Sequence, residues 1–147
     1  MKNTNKILIS AFILFTTLQA FSHGEDKPGP HGGYIRMPGA FHTEVVPEKN
    51  GYRIYLLDIE WKNPTTKNSN LKASIKTQQK TLELDCKSER NSYFCKSQII
   101  TEPAQLILNA QRKTQKGSPA TYDLPLRFTT TTQQQNNHQN MDHSNHH

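Results

Sequence analysis

Short runs in which apolar and polar residues alternate, separated by turn residues, recur through the middle of this chain. Tyr52–Trp61 is the longest. In an extended segment, Tyr52, Ile54 and Leu56 fall on one face and Tyr55, Leu57 and Ile59 on the other. Leu71–Thr77 repeats the pattern with Leu71, Ala73 and Ile75, and Phe41–Val46, Thr81–Cys86, Tyr93–Ile100, Ala104–Gln111 and Tyr122–Phe128 complete the set. Only Ala104–Lys113 also admits a helical spacing. Turn chemistry stands between the runs at Asn50-Gly51, Asn63-Pro64, Asn68-Ser69-Asn70, Glu102-Pro103 and Gly117-Ser118-Pro119. Asn50-Gly51 predicts a hairpin joining Phe41–Val46 to Tyr52–Trp61. Six to seven short strands predict an all-β fold, a small antiparallel sandwich of immunoglobulin-like or Greek-key type.

The two ends break the pattern. Lys2 and Lys6 precede an apolar run from Ile7 to Phe21, and Ala20 and Ser22 supply small residues of a cleavage site, so residues 1–22 read as a secretory signal peptide. That run falls short of the ~20 residues needed to span a bilayer. The mature protein is expected in the periplasm, with no stable membrane insertion after cleavage at Ala20 or Ser22. From Thr129 the chain turns to Thr, Gln and Asn without an apolar residue until Met141. Residues 129–147 are therefore expected to form a disordered tail, leaving 23–128 as a single β domain.

The 147 residues carry 18 Lys+Arg against 12 Asp+Glu, a formal charge of +6. The cations are scattered, and an exported chain rarely meets nucleic acid, so the charge reads as solubility and no nucleic-acid partner is expected. The two cysteines, Cys86 and Cys95, flank a polar loop. Eight intervening residues exceed the two to four of a zinc knuckle, which favours a disulfide across a hairpin over thiolate ligation.

Candidate chemistry lies in the histidines. His23, His31 and His42 stand near one end, His138, His143, His146 and His147 at the other, and none lies between. Imidazole suits Zn²⁺ and Cu²⁺, and a thioether favours Cu⁺. The tail combines its four histidines with Met141 and Asp142. Cleavage after Ser22 makes His23 the first residue, whose amine and ring form a chelate; cleavage after Ala20 leaves Phe21-Ser22-His23, an amine two residues before a histidine. Within the domain, His42 and Glu44 are two residues apart on an expected strand and share a face. The Gly32-Gly33 turn could return His31 over that face, giving a His31, His42 and Glu44 set suited to zinc or copper. The alternative is an edge histidine that simply pairs with Glu44.

The pattern Gly29-Pro30-His31-Gly32-Gly33, a short strand and His42-x-Glu44 resembles small periplasmic metal-binding domains found with heavy-metal efflux adaptors and in metal (copper) resistance loci. Met141-Asp142-His143-Ser144 resembles the Met/His/Asp/Ser repeats of periplasmic copper-resistance proteins. The first resemblance covers Gly29 to about Ile59 and implies a β-sandwich with His31, His42 and Glu44 at a metal. The chain departs from an efflux adaptor in lacking a coiled-coil hairpin, a lipoyl-like half and a membrane-proximal domain.

The expected function is that of a periplasmic carrier or buffer for copper first and zinc second. Metal ions, and an efflux adaptor or other metal-transport protein, are its expected partners. The competing reading is an immunoglobulin-like envelope interaction module with incidental histidines. No G-x-S-x-G, H-E-x-x-H or phosphate loop occurs, so no enzyme is expected.

Overall fold

Ten strands account for the regular structure in the computed structural model, which describes residues 27–128: β1 (Tyr34–Arg36), β2 (His42–Glu48), β3 (Gly51–Leu57), β4 (Asn70–Lys76), β5 (Thr81–Glu83), β6 (Asp85–Ser88), β7 (Tyr93–Lys96), β8 (Ala104–Arg112), β9 (Gln115–Lys116) and β10 (Ala120–Leu124). All pairings are antiparallel. One five-stranded sheet runs β1-β2-β3-β7-β6; the other runs β10-β8-β4-β5, with β9 on the end of β8. Together they form the small β-sandwich that the alternation predicts. The expected signal peptide and the His-rich tail lie outside the described residues.

The core follows from the two-residue period. Ile54 and Leu56 of β3, Ala73 and Ile75 of β4, and Leu106 and Leu108 of β8 are buried in one cluster between the sheets. The sheets are also joined by polar bonds. Tyr122 donates its hydroxyl to the Thr43 carbonyl at 2.9 Å and meets Thr43 Oγ1 at 2.6 Å, with both residues fully buried. Along the same side, Arg36 of β1 donates to the Thr121 carbonyl of β10.

The expected boundaries shift where backbone chemistry intervenes. Asn50-Gly51 does mark a hairpin, but Glu48 pairs with Gly51, so Lys49 and Asn50 form the loop and Gly51 opens β3. Within Ala104–Lys113 the residues up to Arg112 form strand β8, alternating buried and less buried positions, and Lys113 enters the following turn at a left-handed φ of 53°. The Thr81–Cys86 run is two strands: β5 pairs with β4 in one sheet and β6 with β7 in the other, the chain crossing at Leu84. Pro125 carries no N–H to continue the β10 ladder. Two short strands, β1 and β9, were not legible in the alternation.

Cys86 and Cys95 sit opposite each other across β6 and β7 and form a disulfide, as the spacing predicts. Closing so short a loop contributes on the order of 2–3 kcal/mol.

The strand from Tyr52 stops at Leu57 rather than Trp61. There the Asp58 carboxylate captures the chain: Oδ1 accepts from the main-chain N–H groups of Glu60 and Lys62, and Oδ2 from the Asn63 amide. Trp61 and Asn63 adopt left-handed φ values of 64° and 50° within this turn, incompatible with strand. Arg112 of β8, itself buried, donates to the Leu56 and Asn63 carbonyls and ties the turn to the second sheet.

Candidate functional site

Because Thr43 and Val45 face the core, the alternate residues His42 and Glu44 lie on the outer face of their sheet. Register places Ile35 and Tyr55 on either side of Glu44, and Leu57 beside His42. Ile35, Glu44 and Leu57 are nonetheless fully buried, and neither Ile35 nor Leu57 belongs to the core cluster. A second, smaller buried layer therefore covers the outside of this sheet.

Residues 29–33 build part of the cover. Gly29 donates its N–H to the Gly33 carbonyl, and Gly32 to the Gly29 carbonyl, closing a turn with Pro30 at its second position. Gly32 has φ of +77°, which glycine alone adopts without strain. Gly29 and Gly33 serve a different end. A Cβ at Gly29 would lie 2.5 Å from Glu44 Oε1, and one at Gly33 would lie 2.6 Å from the Val45 carbonyl oxygen. The turn is thus pressed against β2 with no room for side chains.

Glu44 meets that turn with three acceptor contacts. Oε1 accepts the main-chain N–H of His31 at 2.8 Å and of Gly33 at 2.9 Å, while Oε2 lies 2.7 Å from His31 Nδ1. The imidazole stacks on Tyr55, with centroids 3.7 Å apart and planes 2° from parallel. Burial raises the Tyr55 hydroxyl above the usual tyrosine range. A deprotonated carboxylate only accepts, so against it Nδ1 carries the hydrogen, and in the neutral imidazole the lone pair then lies on Nε2. The His31 side chain remains one-third exposed.

His42 has different partners. Its Nδ1 lies 3.1 Å from the Asp58 carbonyl, and its ring meets Trp61 edge-on with centroids 5.7 Å apart. A carbonyl also only accepts, so Nδ1 donates here too, and the neutral form of this ring carries its lone pair on Nε2. His42 as a whole is only 4% exposed. The Lys27 ammonium sits 5.0 Å over the far-reaching Trp61 ring.

The return of His31 over the β2 face occurs as the turn chemistry predicts. The three-residue gathering does not: among the described residues, no three His, Cys, Asp or Glu side chains lie where together they could hold a metal ion. Glu44 spends both oxygens on His31 and Gly33, and His42 is turned to Asp58 and Trp61. The remaining predicted ligands, His23, His138, Met141, His143, His146 and His147, lie outside the described residues. Sequence reasoning did not single out Tyr55, Trp61, Asp58 or Lys27. The hairpin register could have found Tyr55, since it faces Glu44 across β2 and β3; no comparable pattern marks Lys27.

The fold and site define a disulfide-bonded, all-antiparallel β-sandwich with a histidine–glutamate pair set into its outer face. Comparison with protein-family models, curated proteins and solved structures finds no match to the chain. Among the described residues no helix is long and apolar enough to cross a membrane.

Proposed function

We propose that this protein is an exported metal carrier or buffer, for copper first and zinc second, in which His31 is the ligand the folded domain presents. The observation that carries the reading is the contact of His31 Nδ1 with the fully buried Glu44 carboxylate. Metal-bound histidines generally donate their second ring nitrogen to a carboxylate or carbonyl, which fixes the tautomer and raises the basicity of the ligating nitrogen. Stacking on Tyr55 restrains the same ring. Glu44 serves in this reading as a positioning residue and not as a ligand.

The metal is cargo. One preorganised imidazole does not complete a coordination sphere, so further donors come from the histidine-bearing ends of the chain, including His23, His138, Met141, His143, His146 and His147, or from a recipient protein. Such an open site favours ligand exchange with a transport protein or efflux adaptor over permanent storage. A disulfide fits an oxidising compartment such as the periplasm.

Native mass spectrometry of the untagged mature protein, titrated with Cu⁺, Cu²⁺ and Zn²⁺, tests the reading. Stoichiometric copper uptake that survives deletion of 129–147 and falls on His31→Ala supports it. Uptake must also weaken in acid, because a protonated imidazole has no lone pair to offer. Affinity unchanged at pH 5, or no specific uptake at all, overturns the proposal in favour of an interaction module.

A further inference from the structure

At the hairpin end of β2 and β3, Pro47 and Tyr52 are register partners. Both continue the inner face, Pro47 after Thr43 and Val45, Tyr52 before Ile54. Tyr52 belongs to the core cluster, whereas Pro47 is exposed, so the core is left uncovered at this end of the sandwich. A cavity of about 290 Å³ lies there, walled by Pro47, Tyr52, Ile99, Ile100, Pro125 and Leu126. We infer that this end binds a small anionic amphiphile, a free single-chain carboxylate whose apolar chain enters the cavity and whose head lies between Lys49 and Lys96. The site is separate from His31 and independent of the metal reading.

Ile99 is 67% exposed, the most open large apolar side chain among the described residues. It walls the cavity and also a second, more open cleft lined by Lys49, Asn50, Lys96, Ser97 and Gln98. An apolar chamber and a cationic one therefore share Ile99 as their common wall. Leaving that side chain in water forgoes the stabilisation its burial would bring. Apolar surface rimmed by polar groups in this way marks a contact site.

Charge selects the head group. Neither Lys49 nor Lys96 has an ion-pair partner among the described residues. Glu48 is the one carboxylate in either lining, and it is already paired with Arg53. Asp85 stands opposite Lys96 across β6 and β7 but forms no ion pair with it. An anion between the two ammoniums gains from both, whereas a cation is repelled. Size selects the tail: the cavity lies at the lower end of the ~300–1,000 Å³ of small-molecule sites, which suits one short chain rather than the two of a phospholipid.

Octanoate is the probe and octanol its neutral control. Each is titrated into the isotope-labelled full mature protein while amide shifts are followed by NMR. Octanoate is expected to give saturable shifts at Lys49, Gly51, Tyr52, Ile99 and Ile100, with His31 and Glu44 unmoved. Lys49→Met, which keeps the stem and removes the charge, is expected to weaken octanoate about two- to fivefold, the worth of one exposed ion pair, and to leave octanol unchanged. Ile99→Ser alters an exposed side chain outside the core and is expected to weaken both probes about five- to tenfold. Shifts that do not saturate or that scatter over the domain overturn the inference. So does an equal effect of Lys49→Met on the two probes, or affinity untouched by Ile99→Ser. Binding to phosphatidylglycerol vesicles without saturable binding of free octanoate also overturns it and makes this end a membrane contact instead.

Discussion

Glu44 and His31 meet at 2.7 Å, the carboxylate with no exposure and the imidazole one-third open to solvent. The pair has two separable roles, since the carboxylate holds the main chain of the 29–33 turn through Oε1 and the imidazole through Oε2. Glu44→Ala strands three donors at once, two of them main-chain N–H groups, and is expected to cost about 3 kcal/mol or more in urea unfolding, from the ~1–3 kcal/mol of each buried donor left unpaired. Glu44→Gln keeps the shape and one acceptor oxygen, and is expected to cost about 1–3 kcal/mol. It should weaken copper binding about tenfold or more, as loss of a ligand's orienting partner does. Copper affinity untouched in a folded Glu44→Gln variant would show that the carboxylate serves the turn alone.

The glycines of the turn predict a graded series. Gly32 has an unusual φ but open space around it, so Gly32→Ala is expected to cost about 1 kcal/mol for the backbone alone. Gly29→Ala forces its methyl group onto Glu44 and onto Ile35 Cδ1, 2.6 Å away, and should cost more than Gly32→Ala. Denaturant midpoints of the two variants order them. The reverse order would mean that the turn stands clear of β2.

Tyr122 sets an alkaline limit. Burial, the largest cause, raises its hydroxyl well above the ordinary range, while the Thr43 bond acts in the opposite sense. A phenol that is harder to ionise in the folded state than in the unfolded one gives full stability below the unfolded value of about 10. That stability is lost as pH rises beyond it, because the unfolded chain then releases the proton more readily. Tyr122→Phe is expected to cost about 1–2 kcal/mol at neutral pH through the lost bonds to Thr43. It should flatten the fall above pH 10 by up to about 1.4 kcal/mol per pH unit. Stability profiles of the two proteins between pH 7 and 11 decide it. Burial also raises Tyr52 and Tyr93, so some alkaline loss should remain in the variant.

Asp58 works in the opposite direction. The Lys62 N–H, its largest influence, and the bonds from Asn63 and Glu60 hold its carboxyl below the ordinary carboxylate value. A depressed folded-state value gives stability that is present above about pH 4 and lost as pH falls through the lower folded value. Trp61 emission should therefore change in acid before the sandwich unfolds, whereas far-UV dichroism follows later. Asp58→Ala should show the acid-type emission already at pH 7. Coincident changes in the two signals would mean that the turn and the sandwich open as one unit.

Much of the sandwich was legible because a sheet with one buried face writes a two-residue period into its strands. Tyr52-Ile54-Leu56 and Leu71-Ala73-Ile75 are such records, and Cys86 and Cys95 could be paired from the loop between them. Tyr34–Arg36 was not, since three residues carry too little alternation to show. The crossing at Leu84 was hidden for another reason: a continuous apolar–polar run reads the same whether its halves pair with one sheet or two.

The sequence by itself determined the fold class, the disulfide, a turn at Gly32-Gly33 and the shared face of His42 and Glu44. These depend on local geometry and on the period of the backbone. Only the tertiary structure decided what those residues touch. Glu44 is buried against the turn, His31 is stacked on Tyr55, and His42 is enclosed by Trp61 and the Asp58 carbonyl. Spacing can place two side chains on one face. Which oxygen accepts which hydrogen depends on register between strands and on where loops fold back, and that is settled by packing across the whole domain.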